Sequence, residues 1–386
     1  MITTINNKHK KLNVPNLRFP EFQEEWEESS IGEMFDLYSG NTPSRLNKSH
    51  FKGNVNWISS GELKQHYIYS SKEQISEEAA QSLKMLPVGT FVIAIYGLEA
   101  EGVRGTGSIT KEPSTISQAC MAFTSKGKVE NEFLYSWYKK HGNVIGIKYA
   151  QGTKQQNLSY DILEKFKIAY PNAKEQGKLN KFISLLDERI ATQNKIIEDL
   201  KKLKSAISHI LFSSKCAIHL SDIANVVMGQ SPSSNAYNDQ GIGMPLVQGN
   251  LDISNGKTTP RLYTAEFNQT AEEGNIILTV RAPVGEVAKA TKKVCLGRGV
   301  CAIIPHEENM SDFIYQYLTF YKFMWRRYEQ GSTFTSINGS DVRNIPCPKV
   351  RNVSILTLLD RKINIEERVI KLYQSQKQYM LCQMFI

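Results

Sequence analysis

One amphipathic helical pattern occurs twice in this chain, and that repetition limits what it can fold into more than any other feature. The first copy contains Leu179-Asn-Lys-Phe-Ile-Ser-Leu-Leu-Asp187-Glu-Arg-Ile190 and runs on to Phe212. The second contains Ile355-Leu-Thr-Leu-Leu-Asp360-Arg-Lys-Ile363 and runs on to Phe385. Asp187 to Asp360 and Phe212 to Phe385 are the same step of 173 positions. In the first copy apolar residues recur at alternating three- and four-residue spacing: Ile183, Leu186, Ile190, Ile197, Leu200, Ile207 and Leu211. In the second they are Leu356, Leu359, Ile363, Ile370, Tyr373, Met380 and Met384. Gln193 and Lys204 interrupt the first seam, and Glu366 and Lys377 the second, at matching positions. A seam this narrow on so long a helix predicts a coiled-coil partner rather than a helix lying on a globule. The other copy is the obvious partner, with the shared polar breaks fixing register. The stretch from Leu179 to Phe212 spans about 50 Å at ~1.5 Å per residue.

The segments between the helices repeat more loosely. Ser39-Gly-Asn-Thr-Pro-Ser44 faces Met228-Gly-Gln-Ser-Pro-Ser233, and Trp57-Ile-Ser-Ser-Gly61 faces Pro245-Leu-Val-Gln-Gly249. Pro87-Val-Gly89 faces Glu272-Glu-Gly274, Phe133-Leu-Tyr135 faces Phe313-Ile-Tyr315, and Gln151-Gly152 faces Gln330-Gly331. The order is kept while the separation falls smoothly, as duplication followed by loop insertions in the first copy would produce. Phe91-Val-Ile-Ala-Ile95 and Ile276-Ile-Leu-Thr-Val280 read as buried strands. Glu132–Lys140 and Asp312–Arg327 read as helices with acidic starts and basic ends. The expected fold class is α+β. Two similar globules alternate with two long helices that pair as an antiparallel coiled coil with a pseudo-two-fold. The divisions are a first globule over 1–172, a helix over 173–215, a second globule over 216–349 and a last helix over 350–386.

Globules on such a spacer cannot share one small-molecule cleft, but can touch two patches of a long ligand. The net charge is +9, which favours a polyanion such as nucleic acid or an acidic membrane surface. Patches on one face of duplex DNA lie about one turn, ~34 Å, apart or a multiple of it. The start, Met1-Ile-Thr-Thr-Ile, lacks the apolar core of a signal peptide, and the longest apolar run, Phe91–Tyr96, is too short to span a bilayer. The six cysteines (Cys120, Cys216, Cys295, Cys301, Cys347 and Cys382) show no CxxC spacing. These features predict reduced thiols, no zinc site and a cytoplasmic protein.

A search for catalytic motifs finds little. There is no P-loop, HExxH or Gly-x-Ser-x-Gly, and no Asn/Asp-Pro-Pro-aromatic motif of amino-methyltransferases. Gly102-Val-Arg-Gly105-Thr-Gly107 has the wrong spacing for a dinucleotide fingerprint. Glu62-Leu-Lys64 lacks the preceding Pro-Asp of a nuclease metal site, and Ser49-His-Phe-Lys52 is as weak a match.

The whole pattern resembles the specificity subunit of type I restriction–modification systems. Three stretches carry the resemblance: Val14-Pro-Asn-Leu-Arg-Phe-Pro20-Glu-Phe with Glu25-Trp26-Glu27, Gln151-Gly-Thr-Lys-Gln-Gln-Asn157-Leu-Ser159, and Phe182-Ile-Ser-Leu-Leu-Asp187-Glu-Arg-Ile190. The second copy departs from the middle one, with Phe334-Thr-Ser-Ile337-Asn338, and the sequence stops at Ile386, soon after the helix. The resemblance implies that each globule is a target recognition domain reading one half of a split site in double-stranded DNA. It implies that the helices set the gap and dock two methyltransferase (modification) subunits, joined by restriction/translocase subunits. S-adenosylmethionine, ATP and magnesium would then sit on those partners. This chain would hold no cofactor, metal or catalytic residue, and would have no membrane partner.

Base and phosphate contacts draw on Arg, Lys, Asn, Gln, Ser and Thr at exposed turns. The repeated turns offer Thr42, Ser44 and Arg45 in the first copy and Ser231, Ser233 and Ser234 in the second. The next pair offers Lys64 and Gln65 against Gln248 and Asn250. Arg104 and Arg281 lie in Gly-rich stretches without a fixed mutual alignment. Lys154, Gln155 and Gln156 precede the first helix, and Thr333 and Thr335 the second. Arg326-Arg327 and Lys201-Lys202-Leu-Lys204 are basic runs, the latter on a helix. Two other readings stand beside this one: a stand-alone DNA methyltransferase or nuclease with an unfamiliar site, and a coiled-coil adaptor that binds only protein.

Overall fold

The computed structural model describes residues 13–152, 155–214, 216–327, 336–349 and 352–386. It is an α+β protein of mixed β-sheets with two long helices that pack together. Two compact units divide the chain: Met1–Asn194 with Val369–Ile386, and Lys195–Arg368.

In the first unit we number the strands β1 (Phe35–Ser39), β2 (Val55–Ile58), β3 (Tyr67–Ile68), β4 (Phe91–Ala94), β5 (Gly107–Thr110), β6 (Ser114–Ile116) and β7 (Cys120–Ser125). The main sheet runs in the order β1-β7-β4-β5-β3, antiparallel except for the parallel β3–β5 pair. A second sheet pairs β2 with β6 in parallel and with Gln74–Ile75. All four residues of β4 are buried, as its unbroken apolar run requires. The helix α1 (Asn131–Tyr149) covers the main sheet, with the Tyr135 and Tyr138 rings 5.9 and 5.8 Å from Phe91.

This helix runs nine residues past the Lys140 end expected from sequence, through Gly142 and Gly146. The two glycines are packing sites rather than stops. A Cβ on Gly142 would meet the Tyr138 ring at 2.7 Å, and one on Gly146 would meet Arg104 Cγ at 2.5 Å.

The second unit holds β8 (Ala224–Met228), β9 (Met244–Val247), β10 (Lys257–Thr258), β11 (Ile276–Thr279), β12 (Val287–Lys289), β13 (Val294–Leu296) and β14 (Val300–Pro305). Its main sheet runs β8-β14-β11-β12-β10, with Ile253–Ser254 added at the edge. The parallel β9–β13 pair again belongs to a second sheet. The covering helix, Ser311–Tyr321, tightens into a 3-10 turn over Lys322–Arg327, where the sequence reading had one continuous helix. Gly89 and Gly274 sit at matching turns before β4 and β11. Both have left-handed φ (85° and 83°), and their N–H groups donate to Thr110 and Ala290.

The long helices are α2 (Ala173–Phe212) and α4 (Ser354–Met384), with Ser311–Tyr321 as α3. Both are rooted in hydrophobic cores. Leu179 and Ile183 of α2, and Leu381, Met384 and Phe385 at the end of α4, belong to the first core, where Phe385 lies 5.2 Å from Phe133. Phe212 of α2 and Leu356 of α4 belong to the second, where Phe212 lies 5.4 Å from Tyr317. Every seam residue is buried or half-buried, from Ile183, Leu186 and Ile190 through Ile197, Leu200 and Ile207 on α2. The same holds for Leu356, Leu359, Ile363, Ile370 and Tyr373 on α4. In the first unit Asp187 meets Lys377 at 2.5 Å, and the Arg189 guanidinium lies 4.7 Å over the Tyr373 ring. In the second, Lys201 meets Glu367 at 2.7 Å and Lys204 meets Asp360 at 2.6 Å. Within each unit the partner number falls as the α2 number rises.

Candidate nucleic-acid interface

At one end of the first unit's sheet, five chain segments are stitched together by backbone hydrogen bonds. Gly40 and Asn41, just past β1, donate to the carbonyls of Cys120 and Ile116 at 3.1 Å each. A Cβ on Gly40 would lie 2.3 Å from the Ile116 oxygen, so the turn after β1 can pass here only as glycine. Ser117 N–H donates to Ile58 at the end of β2, and Ile95 N–H to Ala119, both at 2.9 Å. Leu158 N–H returns to Ile95 at 2.9 Å, and Trp57 Nε1 donates to the Asn41 carbonyl at 3.0 Å. A hollow of about 520 Å³ lies here, lined among others by Ser39, Tyr96, Gln151, Gln155, Asn157 and Tyr160. Asn157 Oδ1 faces no hydrogen-bond partner among the described residues.

The expected DNA-contacting residues of this unit take distinct positions. Thr42 and Ser44 follow Gly40 on the same turn, Ser44 being exposed. Lys64 and Gln65 are exposed just before β3, with the Gln65 carbonyl held by Ser108 Oγ at 2.5 Å. Gln155 is exposed, while Gln156 is drawn in. The Gln156 N–H donates to Glu99 at 2.8 Å, and its side-chain oxygen accepts from Arg104 Nη2 at 2.6 Å. That amide N–H is the main cause holding Glu99 below the usual carboxylate range. Arg45 is also engaged: its fork grips Glu73 at 3.0 and 2.8 Å and stacks 4.5 Å over Phe51. Glu62, half of the weak nuclease-like match, caps backbone instead, accepting from the N–H groups of Ser59 and Lys72.

The second unit repeats the stitching. Gly229 N–H donates to Val300 at 3.0 Å, Gly297 to Val247 at 2.8 Å, Val280 to Gly299 at 2.9 Å and Ile337 to Val280 at 3.0 Å. Ser231 Oγ accepts from Arg298 N–H at 2.9 Å. Gln248 N–H caps on Asp252 at 2.8 Å, Asn250 opens the following turn, and Ser233 is exposed. Arg281 is exposed beside Val280 and bridges Ser336 through the backbone. The matching bridge in the first unit is Tyr96 to Asn157. The counterpart of Arg281 is therefore Tyr96, and Arg104 belongs to an insertion over α1. Lys154, Thr333 and Thr335 lie outside the described residues, as do the side chains of Arg326 and Arg327.

Three exposed residues at these ends escaped the sequence reading: Tyr96, Gln118 and Arg298. Arg298 could have been found from Gly297-Arg298-Gly299, since glycines on both sides of a lone arginine mark a tip pressed against backbone. Cβ atoms there would meet Gln248 Cα at 3.0 Å and the Gln248 oxygen at 2.1 Å.

A second cluster ties the first globule to the long helices. His66 lies between the Tyr67 and Tyr135 rings, 4.0 Å from each. Its Nε2 is 2.7 Å from Glu132 and its Nδ1 is 3.0 Å from Asp187, which also holds Lys377. Burial pushes the imidazole pKa down, but the two carboxylates outweigh it, and the net direction is up. In the second unit Gly256 stands near the corresponding place, against the Tyr315 hydroxyl. There Lys289 pairs with Asp312 at 2.7 Å, and Gln316 donates to Asp360 at 2.6 Å. No grouping of His, Cys, Asp and Glu suited to a metal occurs among the described residues, and none of their helices is long and apolar enough to cross a membrane.

The architecture is that of a known fold. It matches a crystal structure of the type I restriction–modification S subunit from M. genitalium with TM-score 0.62, over 97% of this chain and 99% of that one. It matches a chain from a structural study of type I restriction–modification assembly with TM-score 0.59, over 92% and 96%. At 19% identity each, these likenesses concern the fold alone. The chain belongs to the family of the type I restriction modification DNA specificity domain, whose model matches residues 23–202 and 217–372. It is 30% identical over 248 residues to the MjaX type I restriction enzyme specificity subunit of Methanocaldococcus jannaschii, covering 58% of each chain. It is 30% identical over 192 residues to the EcoR124I/EcoR124II specificity subunit of Escherichia coli, covering 48% of this chain and 46% of that one. The chain thus spans about half the length of the curated relatives it matches.

Proposed function

We propose that this chain is the DNA sequence-specificity subunit of a type I restriction–modification complex. Each globule is a target recognition domain that reads one half of a bipartite site, over the divisions 1–172 and 216–349. The observation that carries this reading is the pair of sheet ends: one backbone stitching, used twice, presents different side chains in the two globules. A reader of two unlike half-sites needs that combination. The residues contacting DNA are Thr42, Ser44, Lys64, Gln65, Lys154 and Gln155 in the first, with Arg45, Arg104 and Gln156 once they leave their present partners. In the second they are Ser231, Ser233, Gln248, Asn250, Arg281, Thr333 and Thr335.

Within the divisions 173–215 and 350–386, α2 and α4 pair as an antiparallel coiled coil with a pseudo-two-fold and set the gap. The ion pairs support this, since Asp187–Lys377 and Lys204–Asp360 are the same pair with the roles of the two copies exchanged. Two methyltransferase subunits dock on the outer face of the helices, and restriction/translocase subunits join that core. A second apolar stripe supports this docking. Leu358, Ile365, Leu372 and Tyr379 recur every seven residues on α4 and stay 53–68% exposed. The subunit itself performs no catalysis, and S-adenosylmethionine, ATP and magnesium are held by its partners. It works in the cytoplasm.

Methylome sequencing of a host carrying the chain with its methyltransferase partner tests this. A split motif with a fixed gap is expected. A continuous motif, methylation by this chain alone, or a purified complex that ignores DNA would each overturn the proposal.

A further inference from the structure

Resting on the function proposed above, we infer that two paired positions at each sheet end decide which bases are read: Tyr96 with Gln118 in the first globule, and Arg281 with Arg298 in the second.

The pairing follows from backbone geometry. In the first globule the Ile95 N–H donates to the Ala119 carbonyl at 2.9 Å, so Tyr96 and Gln118 flank one hydrogen bond. In the second the Val280 N–H donates to the Gly299 carbonyl at 2.9 Å, so Arg281 and Arg298 flank its counterpart. The tips carrying Gln118 and Arg298 are anchored alike: Ser117 N–H donates to Ile58, and Gly297 N–H to Val247. The four side chains therefore occupy two equivalent pairs of places, but with different chemistry.

The second pair consists of arginines without a side-chain partner among the described residues, and both are exposed. Most other exposed or half-exposed arginines near these sheets are already committed. Arg45 grips Glu73, Arg104 grips Gln156, and Arg261 grips Asp252. A guanidinium with all its donors open matches the O6 and N7 acceptors of guanine in the major groove. The Arg298 tip is also rigid, because its N–H is fixed by Ser231 and its flanking glycines press on Gln248. In the first globule the same tip carries an amide, which matches the N6 and N7 edge of adenine. Tyr96, 37% exposed and lining the hollow, brings a ring where the second globule brings a charge. The half-site of the second globule therefore contains guanine at two neighbouring positions. That of the first has adenine at the place equivalent to the Arg298 guanine.

Selection of duplexes from a randomised library by the full chain together with its proposed methyltransferase partner, read by sequencing, tests this. Wild type should enrich a split motif whose halves differ as stated. Arg298→Gln should replace guanine by adenine at one position of one half and leave the other half unchanged. Gln118→Arg should do the converse in the other half. Arg298→Lys keeps the charge but not the fork. It should retain binding while losing guanine preference by on the order of 10- to 100-fold. Unfolding midpoints within a degree or two of wild type confirm that the tips are not structural. An unchanged motif in Arg298→Gln, with DNA still bound, overturns this inference and leaves the proposed function standing. Failure of the wild-type complex to enrich any split motif overturns both.

Discussion

At the residue scale, His66 shows how a charge can be made structural. Its ring is covered on both faces by tyrosines, and its two nitrogens lie 2.7 and 3.0 Å from the carboxylates of Glu132 and Asp187. Because its folded pKa is raised, the stabilisation it gives is complete below the ordinary histidine value of about 6.5 and is lost as pH rises through the folded value. Asp187 runs the other way. Burial opposes its ionisation, but His66 and Lys377 hold its pKa down, so its contribution fails only when acid reaches that lowered value. Lys139, pushed down to about 8 by burial and then by Lys377, adds a third slope. Its folded state prefers the neutral amine, so the full cost to stability stands below about 8 and is relieved as pH rises from there towards the ordinary lysine value of about 10.4. The histidine term is isolated by comparing wild type with His66→Gln. The stability difference should be largest near pH 5.5 to 6 and shrink towards pH 9, measured by denaturant unfolding across pH. A difference that stays constant would remove the imidazolium from the account. None of this was legible in sequence. His66 is a lone histidine until topology brings β3, α1 and α2 together, whereas Arg298 was legible in principle from its two glycines.

At the element scale, the long helices were the part most legible in the sequence, because one physical rule, an apolar stripe at heptad spacing, governs their whole length. Their polar breaks were legible as positions but not as partners. Lys204 and Lys377 answer Asp360 and Asp187, the aspartates that close the two Leu-Leu-Asp motifs. Removing Asp187 leaves Lys377 and His66 without their shared counter-ion in a half-buried place. Asp187→Ala should therefore cost about 3 kcal/mol, at the low end for broken buried pairs. Asp187→Lys combined with Lys377→Asp should recover part of that loss, in a double-mutant cycle read by unfolding. The helix ends are anchored by aromatic rings. Phe385 is 2% exposed and packs on Phe133. Phe385→Ala should cost about 3–4 kcal/mol through the cavity it leaves, and the matching Phe212→Ala a similar amount. The loose globules were harder to read, because their strands are two to six residues long. Over so few residues, the alternation that distinguishes a strand barely registers. The glycine turns survived duplication and betrayed them instead.

At the scale of the whole molecule, the two copies make a quantitative demand on the proposed antiparallel pairing. Asp187 and Lys204 stand 17 positions apart on α2, and Asp360 and Lys377 stand 17 apart on α4. Both ion pairs can form together only because these intervals are equal. Deleting seven residues between Asp187 and Lys204 sets an interval of ten against seventeen, so no register satisfies both pairs. If the proposed function holds, such a chain should lose assembly with methyltransferase subunits and site-specific methylation together. Deleting the matching seven from both helices restores equality, keeps the apolar seam in phase to within about 20°, and shortens the spacer by about 10 Å. On DNA that length is about three base pairs at ~3.4 Å each. A shift of three base pairs also turns the groove by roughly a quarter of a turn or more, which the helices do not follow. The doubly shortened chain should therefore recognise the same two half-sites about three base pairs closer together, with affinity reduced by the twist now required of the DNA. Methylome sequencing reads the gap directly. If the doubly shortened chain kept the original gap, the helices would not be the ruler, and spacing would have to be set by the docked subunits.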